Sequence, residues 1–246
     1  MSDLPNPLIR LSHSIYGLWY GAVFGLMSLT TLGLVALAPG PMRRRRIVKA
    51  GAGLILRLTG TWPEIKGLEH LPERAAVVVA NHSSYLDAIL LAAVLPHRYR
   101  FVIKREVTRV PVLHFFLQRT GAHFVERFDT HRSARDARRI YQTAGNGDSL
   151  AFFPEGTFTK EPGLGHFHNG AFTIAVRSNM PLVPLTIRGT RKMLPADRWL
   201  PVPGRLEIII NEAYETAHTK DVRNLLESCR ERILQALEEP DLIKKA

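Results

Sequence analysis

Between residues 75 and 210 the chain repeats one pattern, a short apolar run followed in most cases by a helical stretch. The runs cover 75–80, 101–103, 123–125, 149–153, 182–187 and 205–210, and most are rich in β-branched residues. Continuous apolar runs of this length are what a strand covered on both faces requires. Helical periodicity covers 87–94, 112–119, 132–143 and 170–178, and again 221–237, where Val222, Leu225, Leu226, Ile233 and Leu237 form one stripe. The alternation predicts an α/β fold, a mostly parallel sheet flanked by helices. There is no internal repeat and no low-complexity linker, and the division expected is an N-terminal helical segment over 1–60 and an α/β domain over 61–246.

The N-terminal segment has a different character. Residues 11–42 contain no Asp, Glu, Lys or Arg, and 15–37 are apolar enough to cross a bilayer as a helix. Tyr16, Trp19, Tyr20 and Phe24 lie within that stretch. Pro39-Gly40-Pro41 follows, then Arg43 through Arg46. Basic residues beside an apolar segment stay cytoplasmic, which places the bulk of the protein on the cytoplasmic face of the cell membrane. A cleaved signal peptide carries its charge before the apolar part, the reverse of this order. Three readings remain: a single spanning helix, weakened by Gly17, Gly21, Gly25 and Gly33; a hairpin with a second helix over 47–58 lying in the interface; and two core helices. Lys and Arg outnumber Asp and Glu by 33 to 22, which suggests an anionic partner. The adjoining apolar segment favours a membrane lipid surface, and no nucleic-acid-binding motif is present. Cys229 is the single cysteine, so no internal disulfide forms.

Polar residues gather where the predicted strands end. Asn81 and His82 follow the first strand, Lys104 the second, Glu126 and Arg127 the third, and Pro154-Glu155-Gly156-Thr157 the fourth. Ligands of open α/β sheets bind at that edge. A histidine suits a general base near neutral pH, and a carboxylate on its other ring nitrogen fixes the tautomer. Asp87, one helical turn past His82, is placed to be that carboxylate. The plainer alternative is a polar strand-to-helix turn capped by Ser83 or Ser84. No Gly-x-Ser-x-Gly elbow exists, which counts against a serine nucleophile.

These residues also form an ordered set. His-x4-Asp stands at His82 to Asp87, Gly-x-x-Phe-x-x-Arg at Gly121, Phe124 and Arg127, Phe-Pro-Glu-Gly-Thr at 153–157, and an apolar segment with a central proline at Pro184. In this the chain resembles the glycerolipid acyltransferases typified by lysophosphatidate acyltransferase, over about residues 60–215. The resemblance implies a glycerol-3-phosphate acyltransferase-like fold and acyl transfer from acyl-CoA or acyl-carrier protein to the hydroxyl of a lysolipid, typically 1-acylglycerol-3-phosphate. It implies His82 as base with Asp87 orienting it, and Asn81, Lys104, Gly121, Phe124, Arg127, Glu155, Gly156, Thr157 and Pro184 as substrate-binding residues. No cofactor, metal or covalent acyl-enzyme is implied. His166 and His168 have metal-ligand spacing, but with only Glu161 nearby no metal site is expected.

Two departures stand out. Phe158 occupies a position that is usually arginine, and His168 and Asn169 stand where relatives often carry lysines. With less positive charge, the acceptor is then expected to include lysolipids other than a terminal phosphate monoester, and Phe158→Arg is expected to raise activity toward lysophosphatidate. The competing functions are an inactive lipid-binding module, a nucleic-acid binder and a lipid hydrolase. Loss of acyl transfer in His82→Ala excludes the first, and comparing free fatty acid with acylated product separates the last.

Overall fold

The computed structural model describes residues 7–126, 139–142, 147–217 and 219–243. Arg127 lies outside them, as does most of the helix expected over 132–143, of which 139–142 is helical. Seven strands form one sheet: β1 (Glu64–Lys66), β2 (Val77–Ala80), β3 (Tyr99–Lys104), β4 (His123–Val125), β5 (Ser149–Phe152), β6 (Leu182–Arg188) and β7 (Glu207–Ile210). Their order is β1-β7-β6-β2-β5-β3-β4. Strands β6, β2, β5, β3 and β4 run parallel; β7 is antiparallel to β6, and β1 pairs parallel with β7. The sheet is therefore mostly parallel, as the alternation predicts. Strand β1 has no apolar run to announce it, because an edge strand Glu-Ile-Lys buries one side chain in part and leaves two exposed.

The apolar runs follow from burial on both faces. Ala76, just before β2, and Val78 and Ala80 on it face one core, with Val183, Leu185 and Ile187 of β6. Val77 and Val79 face the other, with Leu150 of β5 and Leu182 of β6. The first core is closed by α1 (Pro7–Leu37), α2 (Pro41–Leu58) and α3 (Leu86–Val94). The second is closed by α5 (Gly170–Arg177) and α7 (Val222–Leu237), the latter capped by the Asp221 carboxylate on the Asn224 N–H at 2.9 Å. Helix α4 (Pro111–Thr120) precedes β4, and a single turn, α6 (Thr190–Met193), follows β6.

Helices α1 and α2 form a hairpin that lies along the domain. At 31 residues α1 is about 46 Å long. It runs unbroken through its glycines, and two of the hairpin's glycines sit at close approaches. A Cβ on Gly51 of α2 would stand 2.2 Å from Thr31 Oγ1 of α1, and one on Gly17 would stand 3.1 Å from the Pro201 carbonyl. Both ends of α1 are tied down. Tyr16 Oη donates to Thr59 O at 3.2 Å, Trp19 Nε1 to Leu58 O at 3.3 Å, and Arg119 to Ala36 O near the far end.

The four consecutive arginines do not share one role. Arg45 is only 8% exposed and turns inward, its Nη2 3.4 Å from Asp148 Oδ1, while Arg100 Nη2 of β3 takes Asp148 Oδ2 at 2.5 Å. One carboxylate thus joins α2, β3 and the start of β5. Arg44 donates to Ala38 O at 2.8 Å and Arg46 to His97 at 3.3 Å. Removing one partner of a buried ion cluster strands the others. We expect Asp148→Ala to cost about 3 kcal/mol, read by calorimetry as a Tm lower by roughly 6–12 °C. Nearby, burial and then Arg100 pull the His123 ring down from 6.5 to about 4. Unfolded, the ring takes its proton near 6.5; folded, only near 4. Stability should therefore fall as pH drops through that window, and a Tm series on His123→Asn should be flatter there.

Candidate active site

The segment after β2 folds around the carboxylate of Asp87, which is fully buried. Asp87 Oδ2 accepts from Ser83 N at 2.6 Å and Ser84 N at 2.8 Å, and lies 2.8 Å from His82 Nδ1. Helix α3 starts after Tyr85, which makes no side-chain cap itself; the Asp87 carboxylate at N2 takes the two amides before it, and Ser84 Oγ accepts from Leu86 N at 3.3 Å, so the expected serine contact at the helix start is present. Ser84 Oγ also donates to Leu194 O at 2.7 Å, and Ser83 Oγ meets Thr190 Oγ1 at 3.0 Å. A carboxylate only accepts, so Nδ1 carries a ring proton, and in the neutral imidazole the lone pair is on Nε2. The imidazole, 17% exposed, stacks on Phe153 with centroids 4.2 Å apart and meets the edge of Phe158 at 4.7 Å.

Glu155 holds this turn from the next loop. Its Oε1 accepts from His82 N at 2.8 Å and its Oε2 from Gly165 N at 2.8 Å. Burial pushes the Glu155 carboxyl up, and these two amides pull against that shift. The loop is in turn clamped by the chain's last described residues. Arg230 donates to Gly165 O at 2.9 Å and Leu164 O at 2.8 Å while paired with Asp241 at 2.5 Å. Glu239 accepts from Gly163 N at 2.8 Å and Arg191 Nε at 3.1 Å. None of Arg191, Arg230, Glu239 or Asp241 carries a local sequence signal; they reach the site only through the packing of α6, α7 and the tail.

His82 stands between two spaces. One is an apolar cavity of about 810 Å³, within the usual ligand-pocket range of ~300–1,000 Å³. It is walled by α1, α2, α3, α4 and β3, and Tyr85, Phe153 and Phe158 line it beside the imidazole. It reaches Arg100, which is level with Val77 at the start of β2, so it extends roughly 16 Å along the strands from His82. The other is a polar pocket of about 210 Å³ lined by Glu155, Thr157, Thr159, His166, His168 and Arg191.

The remaining predicted residues divide. Lys104, Gly156 and Thr157 line the apolar cavity, and Lys104 is level with Asn81 two strands away, about 10 Å. Gly156, at φ +79°, closes a turn by donating to Phe153 O at 3.0 Å, a left-handed conformation that favours glycine. Asn81 faces β6: its amide donates to Ile187 O at 2.9 Å and accepts from Ile187 N at 2.7 Å. Gly121, at φ +80°, ends α4 near the starts of the parallel strands, at the other edge of the sheet from His82, and lines neither space. Phe124 packs on His114 at 5.3 Å, and Pro184 is buried within β6; neither lines a space.

A family model described as Acyltransferase matches residues 63–188, half of the chain, with His82, Asp87 and Glu155 among them. The chain belongs to the acyltransferase family. It is 32% identical over 204 residues to the chloroplastic 1-acyl-sn-glycerol-3-phosphate acyltransferase BAT2 of Brassica napus, covering 79% of this chain and 59% of that protein. The chain thus spans under two thirds of that relative's length. It is 28% identical to the chloroplastic acyltransferase LPAT1 of Arabidopsis thaliana, covering 96% of this chain and 68% of that one. The crystal structure of the 1-acyl-sn-glycerophosphate acyltransferase PlsC from Thermotoga maritima shares the fold, with a TM-score of 0.77 at 21% identity over 93% of this chain and 96% of that one.

The charged hydrogen bonds of Glu155 are each worth about 1.5–3 kcal/mol. In Glu155→Gln, the His82 and Gly165 amides should therefore exchange with solvent deuterium at least about tenfold faster, with β2 protection unchanged.

Proposed function

We propose that this family member transfers a fatty acyl group from a thioester donor, acyl-CoA or acyl-carrier protein, to the free hydroxyl of a lysolipid, most simply 1-acylglycerol-3-phosphate to give phosphatidate. The observation that carries the reading is the place of His82 Nε2, with its lone pair free, between an acyl-sized apolar cavity and a polar pocket. The names of the relatives supply the acceptor. Nε2 takes the proton from the hydroxyl, the oxygen attacks the thioester carbonyl, and the imidazolium returns the proton to the leaving thiolate. Asp87 holds the tautomer and stabilises the imidazolium. The acyl chain lies in the apolar cavity and the acceptor's polar end in the smaller pocket. No step in this scheme calls on a metal or a cofactor.

One observation favours a second acceptor. Arg191, the guanidinium lining the polar pocket, is already paired with Glu239, and Glu155 adds a carboxylate. A lysophospholipid with a larger head group, or an amino-acid lysolipid, needs less positive charge there. As for location, α1 is tied to the domain near both ends, and its outer face exposes Leu11, Ile15, Leu18, Leu26 and Leu29. This supports a hairpin lying in the membrane interface, with Arg43 and Arg46 toward anionic lipid on the cytoplasmic face.

Purified protein given acyl-CoA or acyl-carrier protein should acylate lysophosphatidate, and His82→Ala should lose about 10³-fold or more in kcat. Asp87→Asn should also fall steeply, by about 10²-fold or more, because the amide no longer holds the tautomer. Transfer only to other lysolipids would establish the second acceptor; no transfer from either donor would refute the reading.

A further inference from the structure

Phe158 lies between two threonines. Thr157 lines both spaces and Thr159 the polar pocket, whereas Phe158 lines the apolar cavity alone. There its ring meets His82 edge-on, with centroids 4.7 Å apart and planes at 71°. Tyr85, 68% exposed, meets the outer side of Phe158 at 4.8 Å and 86°. Phe153 stacks on the imidazole at 4.2 Å. Three aromatic rings thus surround the base on the side where the thioester would lie, with Tyr85 outermost.

The chemistry makes that enclosure consequential. A histidine poised to deprotonate an alcohol deprotonates water equally well. With water as nucleophile, Nε2 takes its proton, the oxygen bonds to the thioester carbonyl, the carbon–sulfur bond breaks, and the thiolate leaves with the proton. The products are a free fatty acid and the thiol, and the donor is wasted. Suppressing this route requires that water not reach the acyl side of the imidazole while the alcohol arrives from the polar pocket.

We propose that Phe158, backed by Tyr85, is the residue that decides between lysolipid and water as acyl acceptor, by covering His82 on the acyl side. This rests on the acyl-transfer reading above. The site that would hold an arginine in relatives here serves the donor side of the reaction. The expectation that Phe158→Arg improves use of lysophosphatidate is therefore reversed: a guanidinium would enter an apolar cavity against the imidazole, bring water with it, and stand away from the polar pocket.

The test measures free fatty acid and acylated lysolipid in the same reaction, so that the hydrolysed fraction is independent of how much protein is active. Wild type is expected to give mainly acylated product. Phe158→Ala and Phe158→Arg should raise the hydrolysed fraction about tenfold, and Phe158→Leu, an apolar side chain of comparable bulk, should restore the wild-type partition. Tyr85→Ala, altering an exposed ring that folding does not depend on, should shift the fraction the same way by less. An unchanged fraction in Phe158→Ala, Phe158→Arg and Tyr85→Ala, with wild type still transferring, would overturn the proposal alone. A wild type that hydrolyses without transferring would overturn the transferase reading and this proposal with it.

Discussion

Everything at the candidate site is organised around one buried oxygen. Asp87 Oδ2 gathers the ring nitrogen of His82 and the amides of Ser83 and Ser84 within 2.6–2.8 Å. A carboxylate oxygen withdrawn from water is stabilised by charge-assisted donors, and for Oδ2 these are supplied by a strand end turning into a helix. The same donors set the turn. The backbone that meets Oδ2 also carries His82, so conformation and tautomer have one cause.

The second tie comes from the opposite direction. Glu155 bridges the His82 amide and the Gly165 amide, and Gly165 is held by Arg230 and the tail. The histidine is thus fastened by two carboxylates, one reached from its own helix and one from a loop that depends on the chain's far end. Proximity catalysis loses about 10²-fold for a displacement near 1 Å, which gives a physical reason for so much structure behind one ring. The imidazole also separates an apolar from a polar space.

The N-terminal hairpin belongs to the same construction. Tyr20, Ile55 and Leu56 share a core with Val78 and Leu90, and Arg45 is joined to the sheet through Asp148. The wall of the apolar cavity is partly hairpin. The outer face of α1 remains apolar and the inner face is spent on the domain, which suits a body resting against a lipid surface.

Much was legible in the chain itself because it was local. Runs such as 75–80 and 182–187 have no solvated face, so they specify buried strands in a mostly parallel sheet. His82 and Asp87 lie within one turn of each other, so their meeting needs only a strand end and a helix start. Other features depended on distant partners. Strand β1 exists because an edge position asks for one half-buried side chain. Asn81 turns to Ile187, Gly121 ends a helix at the other edge of the sheet, and Arg45 leaves its basic cluster for Asp148, each because a group more than twenty residues away, or a neighbouring element, needed it. Phe158 is the sharpest case. Its identity is plain in the sequence, but the space it faces is decided by the course of a loop held from the C-terminal end. The order of elements and the His82–Asp87 pair follow from short-range pattern; which space each surrounding side chain faces follows only from long-range packing.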